Sequence, residues 1–179
     1  MNPLPPDIKI TIRPMEAEDL DEVVAIDRLS FTTPWPYSAY RYELNENQAS
    51  FLRVAESQTP DGEKEVVGMV VVWIVLDEAH IANIAVHPDF RNYGIGKSLM
   101  VVAMREAILK GAHKATLEVR ANNSTAHKLY REFGFEIVGR RSRYYHDNNE
   151  DALLMSVNSL GREYLEKIKH FAGNLVQEN

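Results

Sequence analysis

Two short runs, Ile84-Ala85-Val86-His87-Pro88 and Arg91-Asn92-Tyr93-Gly94-Ile95-Gly96-Lys97-Ser98, decide how this chain folds. The first reads as the end of a strand. Lys97 to Lys110 reads as a helix, with Met100, Ala103, Met104, Ala107 and Ile108 at helical spacing and Gly111 as its stop. A glycine-rich turn between strand and helix aims several backbone N–H groups at one point. It adds the positive end of the helix dipole, and together these bind phosphate. Three better-known motifs fail here. A P-loop needs glycine where Arg91 stands. A dinucleotide fingerprint needs it at Leu99, and a nucleophile elbow around Ser98 needs it at Met100. What remains is R-x-x-G-x-G opening a helix.

Working outward, Leu117-Glu118-Val119-Arg120-Ala121-Asn122-Asn123-Ser124-Thr125-Ala126 reads as a strand followed by an asparagine that opens a helix. Leu129-Tyr130-Arg131-Glu132-Phe133-Gly134-Phe135 closes that helix with an aromatic-Gly-Phe exit. Tyr130 follows Asn123 by two helical turns. It also shares a stripe with Ala126 and Phe133, and periodicity alone favours a core tyrosine. Glu118 lies between Leu117 and Val119, where burial would raise a carboxyl. Strand alternation alone leaves its face undetermined.

These three segments together resemble the GNAT superfamily of N-acetyltransferases, in which the glycine turn holds the pyrophosphate of acetyl-CoA. Ser30-Phe31-Thr32-Thr33-Pro34-Trp35, Leu117 to Arg120, and Arg143-Tyr144-Tyr145 before Glu150-Asp151-Ala152 look like its RimI-type branch. Enzymes of that branch acetylate the N-terminal alanine of a small-subunit ribosomal protein. The resemblance covers roughly residues 8 to 157. It implies a GNAT fold, α/β (α+β), with a mixed central sheet of about seven strands and helices on both faces. It also implies Glu118 as general base and Tyr130 as general acid. Acetyl-CoA would lie on Ile84, Ala85, Val86, Arg91, Asn92, Tyr93, Gly94, Ile95, Gly96, Lys97 and Asn123. The peptide would enter between the Thr32–Trp35 loop and the Tyr144-Tyr145 turn, touching Trp35, Tyr144 and Tyr145. The chain departs from the pattern at Asn92, where many members carry Gly or Arg, and in the tail from Asn158 to Asn179. Two other readings stay open: a GNAT for other N-termini or a small amine, and a non-catalytic acyl-CoA-binding module.

The rest of the chain is mixed α and β without repeats. Ile8 to Arg13 alternates as a strand stopped by Pro14, Glu16 to Phe31 is an acidic-started helix, and Tyr37 to Glu46 a second. Phe51 to Ala55 and Val66 to Leu76 flank a Thr59-Pro60-Asp61-Gly62 turn as a hairpin, and His80 to Val86 follows as a strand. Ala115 to Val119 is the next strand. Glu136 to Tyr144 and Ala152 to Val157 form a last hairpin, and Leu160 to Leu175 reads as a helix. The expected organisation is a flexible tail over 1–7, one domain over 8–157 and a helical extension over 158–179. Arg140, Arg141 and Arg143 read as a solvated strand face ahead of a contact to an acidic peptide or the CoA 3′-phosphate.

Composition narrows the chemistry. The 179 residues include no cysteine, which removes disulfides, thiolate metal sites and any thioester relay through the enzyme. The six histidines form no ligand pair of the H-E-x-x-H kind, so no metal is expected. A net charge of -6 argues against a nucleic-acid surface and suits an amine-bearing partner. The longest nearly apolar stretch, Met69 to Leu76, is far short of the ~20 residues that span a bilayer. Met1 to Asp7 has three prolines and no apolar signal core, so a cytoplasmic protein is expected.

Overall fold

The computed structural model describes residues 7–171 and the backbone of 177–178. Central to it is a twelve-residue strand, β3 (Lys64–Val75), whose middle is buried on both faces, as its unbroken apolar run demands. Around it the chain sets β1 (Lys9–Pro14), β2 (Ser50–Gln58), β4 (Glu78–Val86), β5 (Lys114–Arg120), β6 (Glu136–Tyr145), β7 (Glu150–Asn158) and the two-residue β8 (Gln177–Glu178). The sheet order is β6-β7-β5-β4-β3-β2-β1-β8. The β4–β5 and β1–β8 neighbours run parallel and the others antiparallel.

Helices cover both faces. On one, α1 (Leu20–Ser30) and α2 (Tyr37–Asn45) bury Leu20, Val23, Ile26 and Tyr40 against Val54, Met69 and Val71. On the other, α3 (Ile95–Leu109), α4 (Ser124–Glu132) and α5 (Arg162–Ile168) pack Leu99, Met104, Tyr130 and Tyr164 against Val70, Val72 and Leu117. Each fully buried Leu or Met contributes about 1.5–3 kcal/mol. Where α3 crosses β3 the backbones come close: a Cβ on Gly68 would stand 3.1 Å from both the Ala85 carbonyl oxygen and Leu99 Cδ1.

The expected strands and helices are all present, with shifted ends. The acidic first helix starts as a 3-10 turn over Ala17–Asp19, closed by a reciprocal capping box between Glu16 and Asp19. The last helix is shorter than its apolar stripe predicts. It ends at Ile168, passes into a 3-10 turn over Lys169–Phe171, and its expected remainder, 172–175, lies outside the described residues, as do 1–6 of the expected tail. Among the described residues, no helix is long and apolar enough to cross a membrane.

Candidate active site

The site begins with a broken strand. β4 pairs with β5 from Glu78↔Lys114 only as far as Ile81↔Leu117. On its other side β4 carries a bulge. Ile81 faces Val72 and Asn83 faces Val71, so Ala82 is extra. The bulge switches the strand's faces. Ala79 and Ile81 pack in the core beneath α3, whereas Ala85, of the same parity, packs with α1 and α2. Beyond Ile81 the two parallel strands diverge, and a cleft of about 370 Å³ opens between them.

One wall of the cleft hangs on a wholly buried carboxylate. Asp27 Oδ1 accepts from Tyr40 Oη and from Asn83 Nδ2, each at 2.8 Å, and Oδ2 accepts from the Trp35 backbone N–H at 2.6 Å. Asn83 Nδ2 also donates to Tyr40 Oη at 2.8 Å. Burial first, then the Asp27 charge, pushes the Tyr40 phenol well above the usual tyrosine value. Trp35 stacks on Trp73 at 6.2 Å, and Trp73 stacks in turn on His80 at 5.4 Å. The Trp73 indole donates to Glu43 at 2.8 Å, which fixes the middle of the stack. Burial holds His80 below the ordinary histidine value, and its Nδ1 lies 3.1 Å from Thr116 Oγ1.

Glu118 settles on the cleft face of β5, opposite in direction to Leu117 and Val119. The apolar isolation expected from its neighbours is not found. Its Oε1 pairs with Arg141 Nη1 at 2.6 Å and its Oε2 accepts from Tyr144 Oη at 2.9 Å. That hydrogen bond, more than burial, raises the Tyr144 phenol. Tyr145 meets Tyr144 edge-on at 5.2 Å and lies under the Arg120 guanidinium at 3.9 Å. Burial pushes its phenol up to about 12. Arg120 also donates to Thr32 Oγ1 at 2.8 Å, Asp147 at 2.9 Å and Glu150 at 3.1 Å, and so ties the Thr32 loop to the tip of the β6–β7 hairpin.

Tyr130 serves both readings of its stripe. It is 7% exposed and packs on Phe135, yet it lines the cleft. Burial first, and the neighbouring Tyr145 second, hold its hydroxyl above the ordinary tyrosine value, so it stays protonated. Asn123 caps α4 by accepting from the Ala126 N–H at 3.1 Å, and it lines the same cleft.

At the far end of β4, Ile84 and Val86 pack beneath α3 and Ala85 on the other face, so main-chain groups are what this stretch offers toward the opened edge. Arg91 Nε donates to the Val86 carbonyl at 3.0 Å and its Nη2 to Ser30 Oγ at 3.1 Å, which pins the turn. Asn92 and Gly94 are left-handed, at φ 68° and 92°. Tyr93 packs on the core and Ile95 is buried within it. Lys97 turns its ammonium to Glu132 and over Phe171 at 5.1 Å. Helix geometry leaves the N–H groups of Ile95, Gly96 and Lys97 without partners inside α3. The first turn of α3 carries no acidic residue, so an anionic pyrophosphate fits there.

Sequence reasoning missed Asp27, Tyr40, Trp73, His80, Asn83 and Arg141. Asp27 in an otherwise apolar helix face, and Asn83 breaking a strand's apolar alternation, were the available signals. Among the described residues, no group of three His, Asp or Glu side chains is arranged to hold a metal.

The sequence model of the acetyltransferase (GNAT) family matches residues 20–135. A putative ribosomal protein bS18-alanine N-acetyltransferase of Bacillus subtilis is 40% identical over 149 residues, 83% of this chain and 95% of that protein. The crystal structure of the ribosomal-protein-S18-alanine N-acetyltransferase from Escherichia coli superposes with a TM-score of 0.74 at 30% identity, over 86% of this chain and 96% of the other. A chain of the NatC complex, crystallised with Gag peptide and CoA, superposes at 0.71 with 25% identity, over 84% and 98%.

Proposed function

The chain belongs to the acetyltransferase (GNAT) family, and we propose that it moves the acetyl group of acetyl-CoA onto the N-terminal alanine of ribosomal protein bS18. One observation carries the reading. The divergence of β4 from β5 brings Glu118, Tyr130 and the unpaired edge of β4 to one cleft, and a glycine-opened helix start without acidic residues follows that same strand. The ribosomal target rests on the relatives of that name, and it implies action in the cytoplasm.

Bound acetyl-CoA supplies an activated thioester carbonyl. For this chain, the main-chain N–H groups of Ile95, Gly96 and Lys97 hold the pyrophosphate, and the backbone of Ile84 to Val86 holds the arm. Asn123, capping α4, flanks it. Trp35, Tyr144 and Tyr145 frame the incoming peptide and supply rigid contact area with polar tips. Glu118 takes the proton from the attacking amine, directly or through water. A positioned base of this kind is worth about 10²–10⁴-fold. An α-amine titrates near ~7.7–8.0 against ~10.4 for lysine, so a chain end gives up its proton far more readily. Tyr130, kept protonated by burial, donates to the departing thiolate. A backbone N–H near the Ala82 bulge suits the developing oxyanion, and one such donor is worth about 2.7–4 kcal/mol. With no cysteine in the chain, the amine attacks directly.

The test is a peptide panel. Peptides starting with Ala, Ser or Met, and one with a blocked end and a free lysine, are incubated with acetyl-CoA beside purified bS18. The mass gain belongs on the α-amine of the Ala-starting peptide and of bS18. Acetylation of the lysine side chain instead, or binding of acetyl-CoA without turnover on any amine, rejects the reading.

A further inference from the structure

The edge strand β6 reaches across its neighbour into the cleft. Its register against β7 passes from Arg141↔Ala152 straight to Tyr145↔Glu150. Three residues, Ser142 to Tyr144, therefore stand against the single Asp151. The bulge is held open by Arg143, left-handed at φ 54°, whose N–H donates to Asp151 Oδ1 at 2.7 Å. Without this bulge, strand alternation would run unbroken from Arg141 to Tyr144 and put them on opposite faces. With it, both reach the same carboxylate, two strands away in the sheet order.

The two contacts differ in kind. Arg141 makes an ion pair with Oε1 at 2.6 Å, and Tyr144 gives Oε2 a hydrogen bond from an uncharged hydroxyl at 2.9 Å. Both bonds end on an ionised oxygen, but only the Arg141 contact adds the attraction of two full charges, so the Tyr144 contact yields first to an arriving amine. The Glu118 side chain is 17% exposed and that of Arg141 54%, so the guanidinium approaches from the solvent side. His80 on β4, Tyr130 on α4 and Arg120 on β5 share the cleft, and each has partners of its own. From β7 only Leu154 lies opposite Glu118.

We propose that Arg141 is a positioning residue for the acetyl transfer, anchoring Glu118 through Oε1 so that Oε2 is the oxygen that meets the substrate amine. Tyr144 covers Oε2 until the peptide arrives and then moves to the peptide. The inference rests on the reading of Glu118 as the base.

The test is a set of steady-state measurements on Arg141→Ala, Arg141→Lys, Glu118→Gln and the double variant Arg141→Ala with Glu118→Gln. Arg141→Ala is expected to lower kcat by roughly tenfold or more, since a misplaced base loses its geometry, with the KM for acetyl-CoA unchanged. Arg141→Lys restores most of the loss. Guanidinium ion at tens of millimolar, about a hundredfold below denaturing levels, rescues Arg141→Ala, whereas sodium at equal ionic strength does not. In the Glu118→Gln background, Arg141→Ala has no further effect, as two residues acting through one group require. If Glu118→Gln loses turnover while Arg141→Ala keeps it, the positioning role is overturned and the base reading stands. If Glu118→Gln keeps full turnover, the base reading itself fails. Losses that add in the double variant assign Arg141 to the fold alone and overturn the proposal.

Discussion

Asn83 Nδ2 donates to the buried carboxylate of Asp27 at 2.8 Å, so the first residue past the β4 bulge is tied to the first helix. The same carboxylate holds Tyr40 and the Trp35 N–H, which makes it the fixed point of one cleft wall. Replacing Asp27 by alanine takes the acceptor from the buried Tyr40 hydroxyl and the Trp35 N–H, while Asn83 Nδ2 keeps its bond to Tyr40 Oη. The expected loss is about 3 kcal/mol, read from urea unfolding, because each orphaned buried group costs about 1–3 kcal/mol. Asp27→Asn keeps one acceptor and loses less.

Glu118→Gln and Tyr130→Phe each remove a group to which the proposed mechanism gives a proton transfer, and little volume. Each is expected to cut kcat at least tenfold, toward the low end of the ~10²–10⁴-fold range for acid and base groups, with acetyl-CoA affinity nearly kept. Single-turnover kinetics and isothermal titration separate the two effects. Full activity in both variants removes the proposed mechanism.

Arg120 fastens the two lips of the cleft through Thr32, Asp147 and Glu150. Arg120→Ala unfastens them. The KM for peptide is expected to rise about fivefold, the size of a ~1 kcal/mol ion-pair contribution, while that for acetyl-CoA stays put. An equal rise in both constants would mean that the variant disturbs the whole sheet.

Gly94 opens α3 at φ 92°. A side chain in the left-handed region costs about 1–2 kcal/mol, so Gly94→Ala lowers stability by that amount. It also misaims the helix-start N–H groups, and acetyl-CoA binding weakens with it. Calorimetric melting with and without acetyl-CoA measures both losses.

On β1, three strands from β4 in the sheet order, Arg13 bonds Asp19 at 2.7 Å and Glu56 at 2.9 Å. Burial alone would raise both carboxyls. Arg13 with the Glu16 N–H at Asp19, and Lys64 with Arg13 at Glu56, carry them below their ordinary values of 3.8 and 4.5. A carboxyl held low in the folded state binds its proton more readily when unfolded. Its stabilisation is therefore complete above the ordinary value and is lost as pH falls through the folded one. Arg13→Gln is expected to cost about 2 kcal/mol at pH 7, and its difference in Tm from the parent chain starts to narrow near pH 4 and closes only once both carboxyls are protonated.

Much of this molecule was legible before it was folded. The glycine turn read as a helix start because only a few residues tolerate the conformation found at Asn92 and Gly94. The apolar run from Val66 to Leu76 read as a strand because it is too short for anything that spans a bilayer and is bounded by turns, and both faces of its middle are buried. Glu118 and Tyr130 were visible as candidates, but their faces were not, since alternation and helical stripes fix a period and leave the phase open. The C-terminal helix was overextended because an apolar stripe does not mark where α5 gives way to a 3-10 turn at Lys169.

By itself, then, the sequence determined the order of elements, the glycine turn that opens α3 and the absence of a thiol relay. Those are local matters of backbone conformation, hydrophobic period and composition. Only the tertiary structure decided that Ala82 bulges, that β4 leaves β5 after Ile81, and that Arg141 reaches Glu118 from two strands away. Each depends on register between strands distant in the chain, and a one-residue slip in register turns every following side chain to the other face.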